Sequence, residues 1–291
     1  MVVWAAYLRP KPFPSLQTEG KGIFLTLISD IPMKVFILQT DIAWADPQAN
    51  ILRAEKLLEE HAPEEGALIV LPEMWATGFA VNPIGIAEDE GTSIALAWMK
   101  RTARERGCAV SGSLAVSVED GSYRNRHYFV TPTCTHYYDK RHLFAHGHED
   151  DFITPGREAV IVEWQGWRLL LLTCYDLRFP VFSRFGRAGE YDAIILVANW
   201  PSKRQHAWNI LTRARAIENQ CYVMAANRIG NDPQCLYTGG SAIINPLGEI
   251  VCEAHDETTI ISTDLKHDEL EAMRKRFRVL DDRDTDLYLR V

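Results

Sequence analysis

A layered α/β sandwich is the fold this sequence predicts, and three observations predict it. From Met33 onward, short runs rich in Val, Ile and Leu alternate with longer stretches of helical spacing. Turn signals join several neighbouring apolar runs as hairpins, and these interleave with crossover strands, a mixture that fits stacked layers better than a barrel. No Ser/Gly/Pro-rich linker and no internal repeat interrupts the pattern, so one domain over residues 33–291 is expected. With 291 residues, 47% of them hydrophobic and 24% charged, the composition is that of a globular protein. A chain of this size hides roughly three quarters of its unfolded surface.

The elements follow in order. Residues 35–40 (VFILQT) read as a strand, and 49–60 as a helix with Ile51, Leu52, Leu57 and Leu58 on one face. Residues 67–71 (ALIVL) form a buried strand. Residues 93–106 have helical spacing and stop at Gly107, before a strand over 108–116. Residues 128–131 and 136–138 make a hairpin around Pro132, and 160–164 and 167–173 another around Gln165-Gly166. The latter strand carries Leu169, Leu170, Leu171 and Leu172, so both of its faces must be covered. Then come a helix over 180–189, a strand over 193–199, a helix over 206–219 and a strand over 222–226. A hairpin of 241–245 and 249–253, a strand over 259–264 and a helix over 268–277 complete the chain.

Charge and composition exclude several classes. Thirty-one Lys and Arg against 39 Asp and Glu give a net charge of -8, which argues against nucleic acid or an anionic membrane surface as a partner. No apolar run approaches the ~20 residues of a membrane span. The six cysteines form no C-x-x-C pair or zinc-like spacing and read as reduced thiols, which suits a cytoplasmic protein. Residues 1–32 differ from the rest. Apolar Val2 to Leu8 precede the charges, the reverse of a secretory signal, and Pro10, Pro12 and Pro14 follow. A poorly ordered N-terminal extension, or an upstream misreading of the true start, is the expectation there.

Three apolar strands end in a polar, reactive residue. Glu73, in Leu71-Pro72-Glu73-Met74-Trp75, follows a buried strand among bulky side chains, where desolvation raises a carboxyl toward the range of a general base. Lys140, in Tyr138-Asp139-Lys140-Arg141-His142, can supply positive charge to an oxyanion or to a neighbouring thiolate. Cys174 stands where the strand of four leucines stops and Pro180 opens a helical turn. Helix N-terminal amides lower a cysteine pKa, and Asp176 and Arg178 are spaced to pair across the turn. Each residue alone has a plain structural reading: a solvated loop glutamate, a surface lysine, an inert core thiol.

The run His146-Gly147-His148-Glu149-Asp150-Asp151 holds groups a metal could use, but without the i, i+4 spacing of a zinc helix. Neither a phosphate-binding glycine loop nor a G-x-S-x-G elbow occurs in the chain.

As a set, Glu73 in LPEMWATGF, Lys140 in YYDKRHLF and Cys174 in LLLLTCYDLRFPVFSR resemble the Glu-Lys-Cys triad of the nitrilase (carbon-nitrogen hydrolase) superfamily. The likeness extends to ANWP at 198–201, RARAIENQCYV at 213–223 and GGSAIINPLGE at 239–249, and covers essentially residues 33–264. CYDLRFP and KRHLF are most similar to the omega-amidase branch. The resemblance implies an α-β-β-α sandwich that pairs into four layers, hence a homodimer, and a second active-site glutamate seven residues before the glycine of a Pro-Gly pair. Glu149 stands at that distance from Gly156, although Asp150 and Asp151 leave the register open.

It further implies a hydrolase of linear amides that needs no cofactor and no metal. Cys174 attacks the carbonyl of a small-molecule amide to give a thioester intermediate, with Glu73 as base and Lys140 and the Tyr175 backbone N–H at the oxyanion. Glu73 and Glu149 position the water that hydrolyses the thioester. The implied substrates are 2-oxo dicarboxylate monoamides such as 2-oxoglutaramate and 2-oxosuccinamate. The alternative is another superfamily activity, such as an N-carbamoyl amidohydrolase or an aliphatic amidase. Arg178, Lys203 and Arg204 are candidates to hold the substrate carboxylate, Arg178 being equally placed to pair with Asp176.

Overall fold

The computed structural model describes residues 32–284; the expected N-terminal extension lies outside the described residues, apart from Pro32. The chain begins with β1 (Met33–Gln39), α1 (Pro47–His61), β2 (Leu68–Val70), β3 (Glu88–Asp89), α2 (Ile94–Arg106) and β4 (Ala109–Ser117). It continues through β5 (Tyr123–Val130), β6 (Thr135–Asp139), β7 (Ile161–Trp164), β8 (Trp167–Thr173), α3 (Pro180–Ser183), β9 (Ala193–Val197) and α4 (Gln205–Asn219). It closes with β10 (Tyr222–Ala226), β11 (Ile229–Asn231), β12 (Leu236–Thr238), β13 (Ala242–Ile244), β14 (Ile250–Glu253), β15 (Thr259–Leu265) and α5 (His267–Arg276).

Two sheets form the sandwich. One has seven strands, ordered β15-β1-β2-β4-β5-β6 with β3 also on β4; the other has six, ordered β14-β13-β10-β9-β8-β7. Because successive side chains of a strand point to opposite faces, each central strand feeds two cores. Val35 and Ile37 of β1 join Leu169 and Leu171 of β8 and Ile195 and Val197 of β9 between the sheets. Phe36 and Leu38 face Leu57 and Leu58 of α1 and Trp98 and Met99 of α2. Leu170, Leu172, Ile194 and Leu196 face Trp208 and Ala216 of α4. The order is therefore helices, sheet, sheet, helices. The four leucines of β8 are buried on both faces, and each buried leucine contributes about 1.5–3 kcal/mol relative to exposure.

Parallel pairing places the strand ends. β1, β2 and β4 run parallel, as do β8, β9 and β10, with helical crossovers between them. β5 reverses and β6 reverses again, so β6 ends on the same side as β2 and β4. Open α/β sheets carry their sites beyond the carboxyl ends of such strands.

Several elements differ from expectation. Helix α1 starts at Pro47, because the Asp46 side chain caps it by accepting from Ala49 N at 3.0 Å and proline fits its first turn. Leu52 is exposed, and Ala54 takes its expected place on the buried face. The helix expected over 180–189 ends at Ser183, where the chain turns toward Gly186 and Gly189, both at positive φ, and Phe185 N donates to Asn219 Oδ1. Strand β5 begins five residues earlier than the sequence suggested. The short β11–β12 ribbon was not foreseen. Among the described residues, no helix is long and apolar enough to cross a membrane.

Candidate active site

Glu73, Lys140 and Cys174 converge at one end of the sandwich. Beyond β2, the chain runs beside β4, with Leu71 N donating to Ser111 O and Met74 N to Ser113 Oγ. This close approach requires Gly112, where a Cβ would come within 2.8 Å of Leu71 Cβ. The turn holds Glu73 fully buried. Lys140 follows β6 and is anchored by its N–H to Asn125 O at 3.0 Å. The Pro155-Gly156 pair then passes so near that a Cβ on Gly156 would sit 2.1 Å from Asp139 O.

Cys174 opens a 3-10 turn over Cys174–Arg178 with φ +45°, a left-handed conformation that costs a β-substituted residue about 1–3 kcal/mol. Asp176 fixes this turn. Its Oδ2 accepts from Thr173 N at 2.9 Å and from the Tyr138 hydroxyl at 2.7 Å, and its Oδ1 from His142 N at 3.0 Å and faces His142 Nδ1 at 2.8 Å. One buried carboxylate thus ties the cysteine turn to the loop that carries Lys140. The expected Asp176–Arg178 pairing is not formed, because Asp176 is spent on these donors; Arg178 lies instead over the Trp200 ring at 5.0 Å.

Lys140 Nζ donates to Glu73 Oε1 at 2.9 Å and to Glu149 Oε2 at 2.8 Å and Oε1 at 3.1 Å. Glu149 lies in a short 3-10 turn, fully buried, and accepts from Phe144 N at 2.7 Å. Asp150 and Asp151 are exposed, which places the inward carboxylate at Glu149. His146 and His148 are also exposed, and His148 faces Asp151 rather than Glu149. Among the described residues, no group of three or more His, Cys, Asp or Glu is placed to hold a metal ion.

Two asparagines complete the cluster. Asn125 Nδ2 donates to Glu73 Oε1 at 2.7 Å and Glu149 Oε1 at 3.0 Å, and Asn199 N donates to Glu73 Oε2 at 2.8 Å. The Cys174 Sγ approaches Asn199 O at 4.0 Å. Sequence reasoning passed over both. The signal for Asn125 was its place inside a strand, where asparagine is disfavoured unless its amide has partners.

Burial opposes the charge on Lys140, but the Glu149 and Glu73 carboxylates outweigh it and hold the ammonium above its ordinary value. Burial raises Glu149, against the pull of Lys140 and with a further push from Glu73. Burial also pushes the Cys174 thiol well up, and the Glu73 carboxylate adds to this against Lys140. The lowered thiol pKa expected from a helix N-terminus is therefore overturned, because desolvation beside two carboxylates exceeds what one short turn supplies.

A cavity opens over Cys174, walled by Phe79, Phe144, Tyr175, Trp200 and Tyr237 among others. Arg178 and Arg204 also line it, Arg204 lying over the Phe144 ring at 4.9 Å. Lys203 is exposed and outside the wall.

Stacked sheets with helices outside thus gather acidic, ammonium and thiol groups at their strand ends, and the family match makes the class a hydrolase of carbon–nitrogen bonds. The carbon-nitrogen hydrolase family matches residues 34–275, and the chain belongs to it. The chain is 42% identical over 258 residues to the omega-amidase YafV of Escherichia coli (strain K12), covering 87% of this chain and 97% of that protein. It is 34% identical over 254 residues to the 2-oxoglutaramate amidase of Bacillus subtilis (strain 168), covering 86% and 97%. Among solved structures, it is similar to XC1258 of Xanthomonas campestris, a CN-hydrolase superfamily protein with an arsenic adduct in its active site. That match has 38% identity, TM-score 0.82, and covers 87% of this chain and 97% of the other. Nit3 of Saccharomyces cerevisiae shares the fold at 22% identity and TM-score 0.78, covering 89% and 98%.

Proposed function

We propose that the protein is an omega-amidase that hydrolyses 2-oxo dicarboxylate monoamides, 2-oxoglutaramate and 2-oxosuccinamate, to the 2-oxo acid and ammonia. The observation that carries the reading is the convergence of Glu73, Lys140, Glu149 and Cys174 beneath a cavity that two arginines line. The relatives named omega-amidase and 2-oxoglutaramate amidase support the substrate class.

The raised thiol pKa keeps Cys174 protonated at rest, so nucleophile and proton acceptor must act together. As sulfur attacks the amide carbon, its proton passes to Glu73. Negative charge on the carbonyl oxygen is met by Lys140 and by the Tyr175 backbone N–H, one of the first-turn amides that a helical turn leaves without an internal partner. Glu73 returns the proton to the departing nitrogen, and ammonia leaves a Cys174 thioester. Water held by Glu73, with Glu149 securing Lys140 beside it, attacks the thioester; its proton goes to Glu73 and then to the sulfur. Dividing the reaction in two avoids direct attack of water on a resonance-stabilised amide. No cofactor takes part in this scheme.

Arg178 and Arg204 hold the distal carboxylate of the substrate, with Lys203 left out because it lies outside the cavity wall. The catalytic domain is taken to span 33–291, to pair as a homodimer, as the resemblance implies, and to work in the cytoplasm, where its six free thiols stay reduced. Sedimentation as a monomer at micromolar concentration would contradict the pairing. The central test is ammonia release from 2-oxoglutaramate against glutamine in wild type and Cys174→Ala. Turnover of the oxo-amide, an acyl-enzyme mass shift, and loss of both in the variant are expected. Preference for an N-carbamoyl amino acid or a simple aliphatic amide would reject the substrate assignment, and full activity in Cys174→Ala the mechanism.

A further inference from the structure

The four carboxylate oxygens of Glu73 and Glu149 are not equally open. A carboxylate oxygen offers two acceptor positions. Glu149 Oε1 takes Asn125 Nδ2 at 3.0 Å and Lys140 Nζ at 3.1 Å, and its Oε2 takes Lys140 Nζ at 2.8 Å and Phe144 N at 2.7 Å. Glu73 Oε1 takes Asn125 Nδ2 at 2.7 Å and Lys140 Nζ at 2.9 Å. Glu73 Oε2 takes only Asn199 N, at 2.8 Å, and the Cys174 thiol faces this carboxylate. Seven acceptor positions are therefore filled, and the eighth, on Glu73 Oε2, stays open.

Asn125 fills two of the seven with a single amide group. Its orientation is dictated by the surrounding bonds. Ser113 Oγ accepts from Met74 N at 2.8 Å, which leaves its O–H to donate to Asn125 Oδ1 at 2.9 Å. A reversed amide would set its oxygen against two carboxylates. We propose that Asn125 is a positioning residue: by occupying the inner oxygens of both glutamates at once, it leaves Glu73 Oε2 as the one open proton acceptor of the cluster and aims it at Cys174. Glu149 is thereby excluded from proton transfer and acts through Lys140. The inference rests on the amidase reading for its kinetic consequence, but not for its chemical one.

The titratable and charged groups around the Asn125 amide are Glu73 and Glu149, which it bonds, and Lys140, which shares both carboxylates; buried His127, two residues along β5 on the same face, is held by Ser111 Oγ at 2.8 Å. The strand neighbours of Asn125, Arg124 and Arg126, point to the other face and pair with Asp120, Asp139 and Glu90. In Asn125→Asp, nearly the same volume carries a third carboxyl, which can donate to its neighbours only while protonated. The variant is expected to lose about 10²-fold in kcat at pH 8, the scale of one acid–base contribution, with little change in KM. Its activity recovers as pH falls, and iodoacetamide labelling of Cys174, which needs no amide substrate, moves to higher pH. Asn125→Ser offers one hydroxyl for two carboxylates and is expected to lose kcat without the acid-side recovery.

Either variant, folded by circular dichroism, with wild-type kcat and a wild-type labelling profile would overturn the proposal. So would losses of kcat that track melting temperature with both pH profiles unmoved. A displaced labelling profile in Asn125→Asp, together with a wild type that turns over no omega-amide, would retain the positioning role and reject the amidase reading.

Discussion

Replacing Lys140 with Met tests how the buried cluster balances its charge. Methionine keeps most of the chain length and removes the ammonium, leaving Glu73 and Glu149 fully buried and without their shared cation. Removing one partner of a buried pair costs about 3–5 kcal/mol. One ammonium here serves two carboxylates, so the upper half of that range is expected at pH 8. The cost depends on pH in a definite direction. Burial already raises Glu149 against the pull of Lys140, and the variant deletes that pull. A carboxyl whose folded pKa lies above its unfolded value of about 4.3 binds more protons when native. The resulting contribution to stability is complete below the unfolded value and is lost as pH rises through the folded one. Lys140→Met is therefore expected to lie close to wild type at pH 4 to 5 and to fall progressively behind it toward pH 8. Urea unfolding at both pH values measures the difference directly. A melting temperature lowered by roughly 8–20 °C at pH 8 corresponds to it in a domain of this size. A deficit independent of pH, or one below about 1 kcal/mol at pH 8, would refute the charge balance read from the geometry.

Other outcomes follow from the same site. Exposed Cys134 should be alkylated before Cys174, whose labelling stays slow at neutral pH and is still climbing at pH 9; a Cys174 rate that levels off near pH 6 would contradict a desolvated thiol. Arg204→Met and Arg178→Met should raise KM for 2-oxoglutaramate about tenfold or more, the scale of a charge-assisted contact, while leaving Cys174 labelling unchanged; Lys203→Met should leave KM as it was. Gly112→Ala sets a methyl group 2.8 Å from Leu71 Cβ. Overpacking of this kind costs about 1–3 kcal/mol. Because the displaced segment leads into Glu73, kcat should fall more than urea stability does.

What the sequence disclosed was governed by how local each cause is. The runs at β1, β8 and β9 bury both faces, so their apolar character alone reveals them. The first half of β5 is hidden in the sequence, because Arg124, Asn125, Arg126 and His127 break the apolar pattern of a buried strand. Their partners come from elsewhere: Glu90 and Asp139 for Arg126, Ser111 for His127, two glutamates for Asn125. That Asp176 fixes its turn is legible locally, but its partners are not, since Tyr138 of β6 and His142 of the loop after it are distant in sequence. Glu73, Lys140 and Cys174 were visible because each ends a strand in a way that composition alone does not require. The thiol shift runs opposite to what its turn suggests, because the turn is legible in the sequence and the surrounding desolvation is not.

The acid and ammonium hang from the seven-stranded layer, while the sulfur hangs from the six-stranded one. Neither layer carries the whole cluster, so in the proposed mechanism chemical competence is a property of their alignment. A lateral slip of about an ångström could leave every strand and helix intact and still cost on the order of a hundredfold in rate. In the proposed mechanism, Ile37 and Leu171, packed in the core between the sheets, thus share in setting the distance over which the proton would travel.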